Sequence, residues 1–351
     1  MGAEPGSPVV IVGAGAIGGT IAHGLVKAGR DVVLVDTDAE HVAAIREHGI
    51  RVERPDGTLD VSPPVTALMP DEFAGEPIGL ALLATKSQHT EAAAAWLAAR
   101  LAADGIVLSC QNGDTLEAAA RHLGAGRLLA AMVEVAADVV APGVIRDGAA
   151  GGLAIGEPAG GPTPRVHAVA ALLDASVPTT VSANVRGLLW AKRGMAMMLT
   201  ASAFEDAPTA QIIDAHPEVM AALAREVHAV AVAGGITPES FDGYDAAAFT
   251  AGSGEAARAA VAALAATIAT FRKKRSGVFR DLVVRRRRTE AGHDLAALLG
   301  DAGRLGVEVP ACTLLARVLG ELEDGERTVA ARNLAEMHDA LDRHSAPDPA
   351  R

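Results

Sequence analysis

One stretch near the N-terminus constrains the fold most. A β-branched run, Val9–Val12, leads straight into the glycine-rich turn at 13–18 (GAGAIG), and a helical pattern follows. In such a turn Gly13 permits the tight bend, Gly15 lets a pyrophosphate approach the backbone, and Gly18 lets the helix pack on the strand. The N–H groups and the dipole at the start of the helix favour an anion. The turn therefore predicts a dinucleotide site, with contacts expected from Gly13, Gly15, Ala16, Ile17 and Gly18.

The acidic residue Asp36 supports this prediction and bears on the choice of dinucleotide. It ends a second predicted strand about 20 residues after the turn, where a carboxylate accepts hydrogen bonds from the ribose hydroxyls. A 2′-phosphate there would meet like charge, and no arginine follows immediately. NAD(H) is therefore favoured over NADP(H). Two alternatives stay open: a glycine-rich turn of another α/β protein, and an Asp36 that only caps the next helix, a role that Asp38 is equally able to fill.

The first half of the chain alternates short β-branched runs with helical patterns, which is typical of βαβ units and a parallel sheet. The predicted strands are Val9–Val12, Asp31–Val35, Gly79–Ala84, Ile106–Cys110 and Leu128–Val133. The predicted helices are Ile17–Ala28, Ala39–His48, His89–Ala102 and Leu116–Leu123. Shorter runs at Val144–Arg146, Leu153–Ile155 and Thr179–Ser182 are expected to extend the sheet edge. The predicted fold class is α/β, with an N-terminal Rossmann-type, doubly wound parallel sheet.

Helical patterns dominate the second half of the chain. They are Leu188–Ala203, Pro217–Ala233, Gly254–Thr270, Thr289–Leu305 and Thr313–Glu323. We therefore predict a dinucleotide-binding Rossmann domain at 1–183 and a C-terminal, all-helical substrate domain at 184–344. A disordered tail is expected at 345–351.

Composition narrows the classes of partner. The net charge of −12 argues against binding to nucleic acids or anionic membranes. Cys110 and Cys312 match no zinc or redox spacing, so no metal site is expected and a reducing compartment fits. The N-terminal MGAEPGS lacks the basic region of a secretory signal. We therefore expect a cytoplasmic protein whose partner is a small molecule.

Within this acidic chain the segment from Arg272 to Arg288 is basic. Its one acidic residue is Asp281. Its cationic residues are Arg272, Lys273, Lys274, Arg275, Arg280, Arg285, Arg286, Arg287 and Arg288. Four consecutive arginines cannot share one helix face, so a solvated surface or a subunit contact is the favoured interpretation. The alternative is that Arg280 aims at the carboxylate of an acidic substrate.

Several separated segments together resemble the ketopantoate reductase (2-dehydropantoate 2-reductase) family over nearly the whole chain. Besides the turn at 13–18 they are Thr85-Lys86-Ser87-Gln88, Gln111-Asn112-Gly113, Pro142-Gly143, Trp190-Ala191-Lys192, Asp281 and Thr289-Glu290. The resemblance implies a Rossmann domain and a helical domain with the active site in the cleft. It also implies hydride transfer between a nicotinamide and the C2 position of a small 2-oxo or 2-hydroxy acid. A homodimer is expected.

The resemblance implies a role for each of five residues. Lys192 matches the catalytic lysine that protonates the carbonyl oxygen, and Glu290 matches the glutamate that orients substrate and lysine. Asn112 matches an asparagine between cofactor and substrate, and Lys86 a lysine near the nicotinamide side of the cofactor. Ser276 matches a serine that binds the substrate carboxylate, at a longer spacing from Glu290 than is usual in the family.

Each role has a plainer alternative. A lysine in an apolar helical run often extends its ammonium group to the surface, and Lys192 fits that description. Asn112 precedes a glycine and is a typical turn residue. Glu290 lies in a predicted first helical turn, where an acid suits the helix dipole.

Two positions depart from the family pattern and bear on the substrate. The family commonly carries substrate-contacting asparagines four and eight positions after its lysine, and this chain has Ala196 and Thr200 there. Loss of two amide donors changes which substrate a site prefers. We therefore favour an NAD-dependent dehydrogenase of 2-hydroxy acids related to the family. A true ketopantoate reductase and a non-catalytic dinucleotide sensor are the alternatives.

Overall fold

The computed structural model describes residues 7–75, 77–113, 115–148, 151–271 and 273–345, with side chains up to Arg343. The chain divides into two units, the first running to Arg186 and the second beginning at Gly187. The sequence-based division after residue 183 lies three residues earlier. Of the tail predicted at 345–351, Ser345 ends the last helix, and the remainder lies outside the described residues.

The first unit contains twelve strands within its described residues. They are β1 Val9–Val12, β2 Val32–Val35, β3 Arg51–Glu53, β4 Leu59–Val61, β5 Thr66–Leu68, β6 Ile78–Leu83, β7 Leu101–Ser109, β8 Leu128–Val133, β9 Ala137–Ala141, β10 Val144–Asp147, β11 Leu153–Gly156 and β12 Thr179–Val181. Eight of them form the main sheet in the order β12-β11-β8-β7-β6-β1-β2-β5. Pairing is parallel except between β11 and β8. The chain returns from β8 to β11 through strands rather than a crossover helix, and that connection allows the antiparallel pairing.

Strand β1 shows why this sheet is covered on both faces. All four of its residues are buried. Val9 and Ile11 belong to one apolar core, whereas Val10 and Val12 belong to another. Alternate residues of a strand point to opposite faces, so a β-branched run with no polar residue is the expected sequence of a strand buried on both sides.

In the described part of this unit, five α-helices accompany the sheet. They are α1 Ala16–Lys27, α2 Ala39–His48, α3 Thr90–Ala98, α4 Leu116–Leu123 and α5 Pro164–Leu173. The helix predicted at His89–Ala102 was too long, because Leu101 already pairs with Ile78 as part of β7. The alanine-rich sequence favours a helix there, but pairing with the neighbouring strand decides the conformation.

Four strands form a second, smaller sheet in the order β4-β3-β10-β9. The prediction that Val144–Arg146 extends the main sheet was wrong, since β10 pairs with β3 and β9 instead. Strands of three residues show too little alternation to be recognised, so β3 and β4 were missed. The runs that begin at Leu153 and Thr179 do extend the main sheet, as expected.

The second unit is built from helices. With the helix that leads into it they are α6 Val185–Ala201, α7 Thr209–Ala215, α8 Pro217–Ala233, α9 Ala246–Thr250, α10 Gly254–Thr270, α11 Gly277–Phe279, α12 Glu290–Leu305, α13 Pro310–Glu323 and α14 Arg332–Ser345. In its described residues the one β contact is an isolated bridge between Phe241 and Tyr244. A π-helical turn, Arg280–Val284, follows α11. Nowhere in the described ranges is a helix both long and apolar enough to cross a membrane.

Candidate functional site

The main sheet has a switch point between β1 and β6, where the order of successive strands reverses direction. In open α/β sheets ligands bind at the carboxyl ends of the strands beside such a point. Strands β1, β2, β6 and β7 are parallel neighbours, so their carboxyl ends share one edge. The predicted residues of the first unit all lie on the loops that leave this edge or in the first turn of α1.

Two glycines of the turn at 13–18 are required by the protein's own packing. Gly13 has a φ of +100°, and a Cβ there would lie 2.7 Å from the backbone of Ala84 and Thr85. A Cβ at Gly18 would clash with the carbonyl oxygen of Gly13. The tight turn and the close helix–strand approach predicted from sequence are therefore both present.

Gly15 differs, because a Cβ added there would meet no protein atom within 4 Å. Gly15 is also the N-cap of α1, where no side chain caps the helix and the first turn holds no acid. The first N–H groups of a helix have no partner within it, so those of Ala16 and Ile17 can bind an anion. The turn fits a dinucleotide pyrophosphate, and the protein's own packing does not require a glycine at position 15.

Both main-chain polar groups of Ala14, its N–H and its carbonyl, are held by side chains. The Ala14 N–H donates to Asp36 Oδ2 at 2.7 Å. The Ala14 carbonyl lies 2.9 Å from Nε2 of His41, which is 4% exposed. Since the Gly143 N–H donates to Nδ1 of His41 at 3.1 Å, Nε2 carries the ring proton and donates to Ala14. Sequence reasoning missed His41, because nothing in its local sequence indicates this contact.

Asp36 is half-buried at the end of β2. Its carboxylate accepts from the N–H groups of Ala14 and Asp38, while Asp38 is the N-cap of α2 and accepts from the His41 N–H. The alternative in which Asp36 only caps α2 is therefore wrong. A carboxylate accepts about four hydrogen bonds, which leaves Asp36 the capacity to bind ribose hydroxyls.

The loops after β6 and β7 are joined by Gln111, which is 4% exposed. Its Nε2 donates to the Thr85 carbonyl at 3.0 Å and to Thr90 Oγ1 at 2.9 Å. This clamp brings the loops of Lys86 and Asn112 together, and both of these side chains are exposed. Sequence reasoning quoted Gln111 in a motif without giving it a role.

In the second unit Lys192 lies on α6. Trp190 and Ala191 before it are 4% and 0% exposed, and Lys192 itself is half-buried. Half-buried Glu290 is the first residue of α12. The residue before it, Thr289, donates from its N–H and its Oγ1 to Glu323 Oε1, each at 2.8 Å.

A residue that sequence reasoning did not consider joins the helices of Lys192 and Glu290. The Arg193 side chain, 1% exposed, forms ion pairs with Asp294 at 2.9 Å and Asp301 at 3.4 Å, both on α12. The structure therefore packs α6 against α12. The available signal was an arginine within an apolar run, but its partners lie more than 100 positions away.

Of the three other predicted substrate residues, two lie on α6 and one precedes α11. Half-buried Ala196 and buried Thr200 follow Lys192 at helical spacing, on the same side of the helix. The Thr200 hydroxyl donates to the Ala196 carbonyl at 2.8 Å and is 1% exposed. Ser276 is buried and caps α11, accepting from the Phe279 N–H at 3.2 Å. Its hydroxyl retains a proton to donate.

Local carboxylates pair with much of the basic segment. Arg285 and Arg287 both contact Asp281, and Arg288 contacts Glu323 and Asp324. The arginines 285–288 are exposed, as the surface interpretation expects, while Arg280 is half-buried at the start of the π turn. Arg272 lies outside the described residues.

Neither cysteine is suited to thiolate chemistry. Burial raises the pKa of Cys110 to about 12, and burial together with Glu226 raises that of Cys312 well above its ordinary value. Within the described ranges no three His, Cys, Asp or Glu side chains are arranged to hold a metal ion.

Comparison with known proteins extends over both units. The family model "Ketopantoate reductase PanE/ApbA" matches residues 9–160, and "Ketopantoate reductase PanE/ApbA C terminal" matches residues 184–323. The chain is 33% identical over 186 residues to 2-dehydropantoate 2-reductase of Halobacterium salinarum, covering 52% of this chain and 60% of the relative. It is 35% identical over 187 residues to that of Pyrococcus abyssi, covering 52% and 59%. The chain thus spans about 60% of the length of these curated relatives.

Solved structures match over more of the chain. A PanE/ApbA family ketopantoate reductase from Ralstonia eutropha has a TM-score of 0.73 at 29% identity, covering 92% of this chain and 100% of that one. D-Mandelate dehydrogenase with NADH and anilino(oxo)acetate has a TM-score of 0.77 at 20% identity, covering 91% and 99%, which is a likeness of fold alone. With family models matching both units, this chain belongs to the ketopantoate reductase family.

Proposed function

We propose that this protein is an NAD(H)-dependent oxidoreductase that interconverts a small 2-oxo acid and its 2-hydroxy acid, with Lys192 as the general acid. The observation that carries the proposal is the packing of α6 against α12. Its ion pairs join the helix of the half-buried lysine to the helix of the half-buried glutamate, the two residues whose roles the family resemblance implies. The membership of both units in the family supports the same chemistry.

The proposed preference for NAD(H) rests on Asp36. Its carboxylate is fixed by the N–H groups of Ala14 and Asp38 beside the glycine turn, where it suits ribose hydroxyls and repels a 2′-phosphate. D-Mandelate dehydrogenase, the fold relative, was solved with NADH. The bound dinucleotide supplies the hydride that adds to C2 of the substrate.

The protein's own residues manage the proton and the developing charge. As hydride adds to the carbonyl carbon, negative charge grows on its oxygen, and the Lys192 ammonium stabilises that charge and transfers a proton to it. Glu290 accepts a hydrogen bond from the ammonium and orients it. Ser276 donates to the substrate carboxylate, while Asn112 and Lys86 bind on the cofactor side. In the oxidative direction, neutral Lys192 takes the hydroxyl proton.

We propose a substrate with an apolar group rather than a hydroxyl on its tail. Ala196 offers no hydrogen bond, and the Thr200 hydroxyl already donates to the Ala196 carbonyl. A substrate hydroxyl would therefore lack the amide partners that the family commonly supplies. The second candidate is 2-dehydropantoate 2-reductase activity, which the curated relatives are named for.

Steady-state reduction of a series of 2-oxo acids separates the two candidates. Ketopantoate, an aryl 2-oxo acid and a branched alkyl 2-oxo acid would each be tested with NADH and with NADPH. We expect the highest kcat/KM for an apolar 2-oxo acid with NADH. A higher kcat/KM for ketopantoate would replace the proposed substrate class, and a preference for NADPH would overturn the role of Asp36.

A cytoplasmic location and a homodimer stay predictions from sequence. Light scattering coupled to size exclusion measures the mass of the particle, with twice the chain mass of 35.6 kDa expected.

A further inference from the structure

Arg193 follows the proposed catalytic lysine in the chain, and its side chain is 1% exposed. Its Nε lies 2.9 Å from Asp294 Oδ1, and its Nη2 donates to the Asp294 carbonyl oxygen at 2.7 Å. Its Nη1 reaches Asp301 Oδ2 at 3.4 Å. The guanidinium carbon lies 4.9 Å from the centre of the Trp190 ring. One side chain of α6 thus contacts two successive segments of α12.

Asp301 is shared between two arginines, since it also pairs with Arg304 at 2.5 Å. A buried ion pair of this kind adds little net stability compared with apolar residues of the same size, because removing the charges from water is costly. Stability alone therefore does not account for an arginine at this position. What the ion pairs do add is a defined relative placement of the two helices.

The placement involves the proposed catalytic residues directly. Arg193 follows Lys192 in the chain. On α12, Asp294 and Asp301 lie about 40° and 20° around the helix from Glu290 at 3.6 residues per turn, so all three are on one side. Arg193 therefore contacts the side of α12 that also carries Glu290.

We propose that Arg193 is a positioning residue, which fixes the register and rotation of α12 against α6 and thereby the separation of the Lys192 ammonium from the Glu290 carboxylate. This inference rests on the proposed function, since it assumes the roles of Lys192 and Glu290. The planar guanidinium holds two carboxylates and a carbonyl at once in a fixed geometry, whereas a lysine at 193 would supply the charge without the fork.

The test compares Arg193→Lys and Arg193→Met with a matched control, Arg327→Met. Arg327 lies in the same unit, is 17% exposed at its side chain and also pairs with two carboxylates, Glu321 and Glu336. For each variant we would measure kcat, KM for the 2-oxo acid, Kd for NADH and Tm, and express kcat per NADH-binding site so that unfolded protein does not count.

We expect kcat to fall about 100-fold in Arg193→Met, since a misplacement of the reacting groups by about 1 Å costs about 100-fold in rate. In Arg193→Lys, which keeps the charge, we expect a fall of about tenfold. The Kd for NADH should stay within twofold. Arg327→Met should lose Tm while keeping kcat. If Arg193→Met does not fold, Arg193→Lys and Asp294→Asn carry the test, each with the expected loss of kcat.

Two results would overturn the inference. One is an unchanged kcat per site in Arg193→Lys and Asp294→Asn, and the other is an equal loss of kcat in Arg327→Met, which would indicate a general effect of destabilisation. Lys192→Ala keeps this failure distinct from failure of the proposed function. If Lys192→Ala abolishes turnover while Arg193→Lys does not change it, only the positioning role of Arg193 is wrong.

Discussion

The two units prepare their parts of the chemistry in different ways. In the first unit the glycine turn is made by consecutive residues and by the backbone: Gly13 and Gly18 remove steric conflicts, and no side chain caps the first N–H groups of α1. In the second unit the helices that carry Lys192 and Glu290 are joined by ion pairs between residues more than 100 positions apart. Backbone-made sites are local in sequence and therefore recognisable, whereas sites made by packed side chains are not.

This difference explains what the sequence predicted. The glycine turn, strand β1 and the helices Pro217–Ala233 and Gly254–Thr270 were predicted at the observed bounds, because steric limits and helical periodicity act within a few residues. Asp36 could be singled out because its distance from the turn is nearly constant in such folds, and its hydrogen bond to Ala14 places it beside the turn. His41, Gln111 and Arg193 were not assigned roles, because each acts on backbone or charge that only the fold brings near.

The largest effect is expected from Gly18→Ala, a substitution that disrupts the glycine turn. In Gly18→Ala the new methyl group would clash with the carbonyl of Gly13, which cannot move because the turn also packs against the backbone of Ala84. We expect a loss of about 3 kcal/mol in the free energy of unfolding and loss of NADH binding. Urea unfolding followed by circular dichroism measures the first. Stability equal to wild type would show that packing at this point is looser than the structure indicates.

The second prediction concerns a buried histidine in the second unit. His228 is 1% exposed and lies 2.9 Å from Thr250 Oγ1 and 3.0 Å from the Tyr244 hydroxyl. Burial lowers the pKa of His228 from 6.5 to about 4. The unfolded chain therefore binds a proton at this histidine below pH 6.5 and the native protein does not, so stability is full above pH 6.5 and falls between pH 6.5 and about 4.

The size of this loss is about 3 kcal/mol at pH 4. Unfolding free energies at pH 7 and pH 4.5 would be compared for the wild type and His228→Gln, which cannot titrate. We expect a weaker pH dependence in His228→Gln. Equal pH dependence in both proteins would show that His228 is not the group responsible.

Gly15→Ala sharpens the comparison, because it makes the same chemical change as Gly18→Ala a few residues away. A Cβ at Gly15 meets no protein atom within 4 Å, so Tm should stay close to that of the wild type. The methyl group would instead block the approach of the pyrophosphate, and we expect the Kd for NADH to rise at least tenfold, as about 1.4 kcal/mol would give. Calorimetric titration measures this. Unchanged affinity would place the pyrophosphate away from Gly15.

The smallest expected effect is on cofactor choice. Asp36→Asn keeps an acceptor for the Ala14 N–H but removes the negative charge that would face a 2′-phosphate. We expect the ratio of kcat/KM for NADH to that for NADPH to fall about tenfold, with Tm close to wild type. A ratio that does not move would mean that another residue selects the dinucleotide.

The most direct test of the central claim is single-turnover reduction of the best 2-oxo acid at saturating NADH, comparing wild type with Lys192→Ala. The claim predicts that the rate falls by about 10² to 10⁴ while the Kd for NADH is unchanged, because Lys192 donates the proton and does not form the dinucleotide site. An unchanged rate in Lys192→Ala would contradict it. Binding of NADH by the wild type without turnover of any 2-oxo acid would identify a dinucleotide sensor instead.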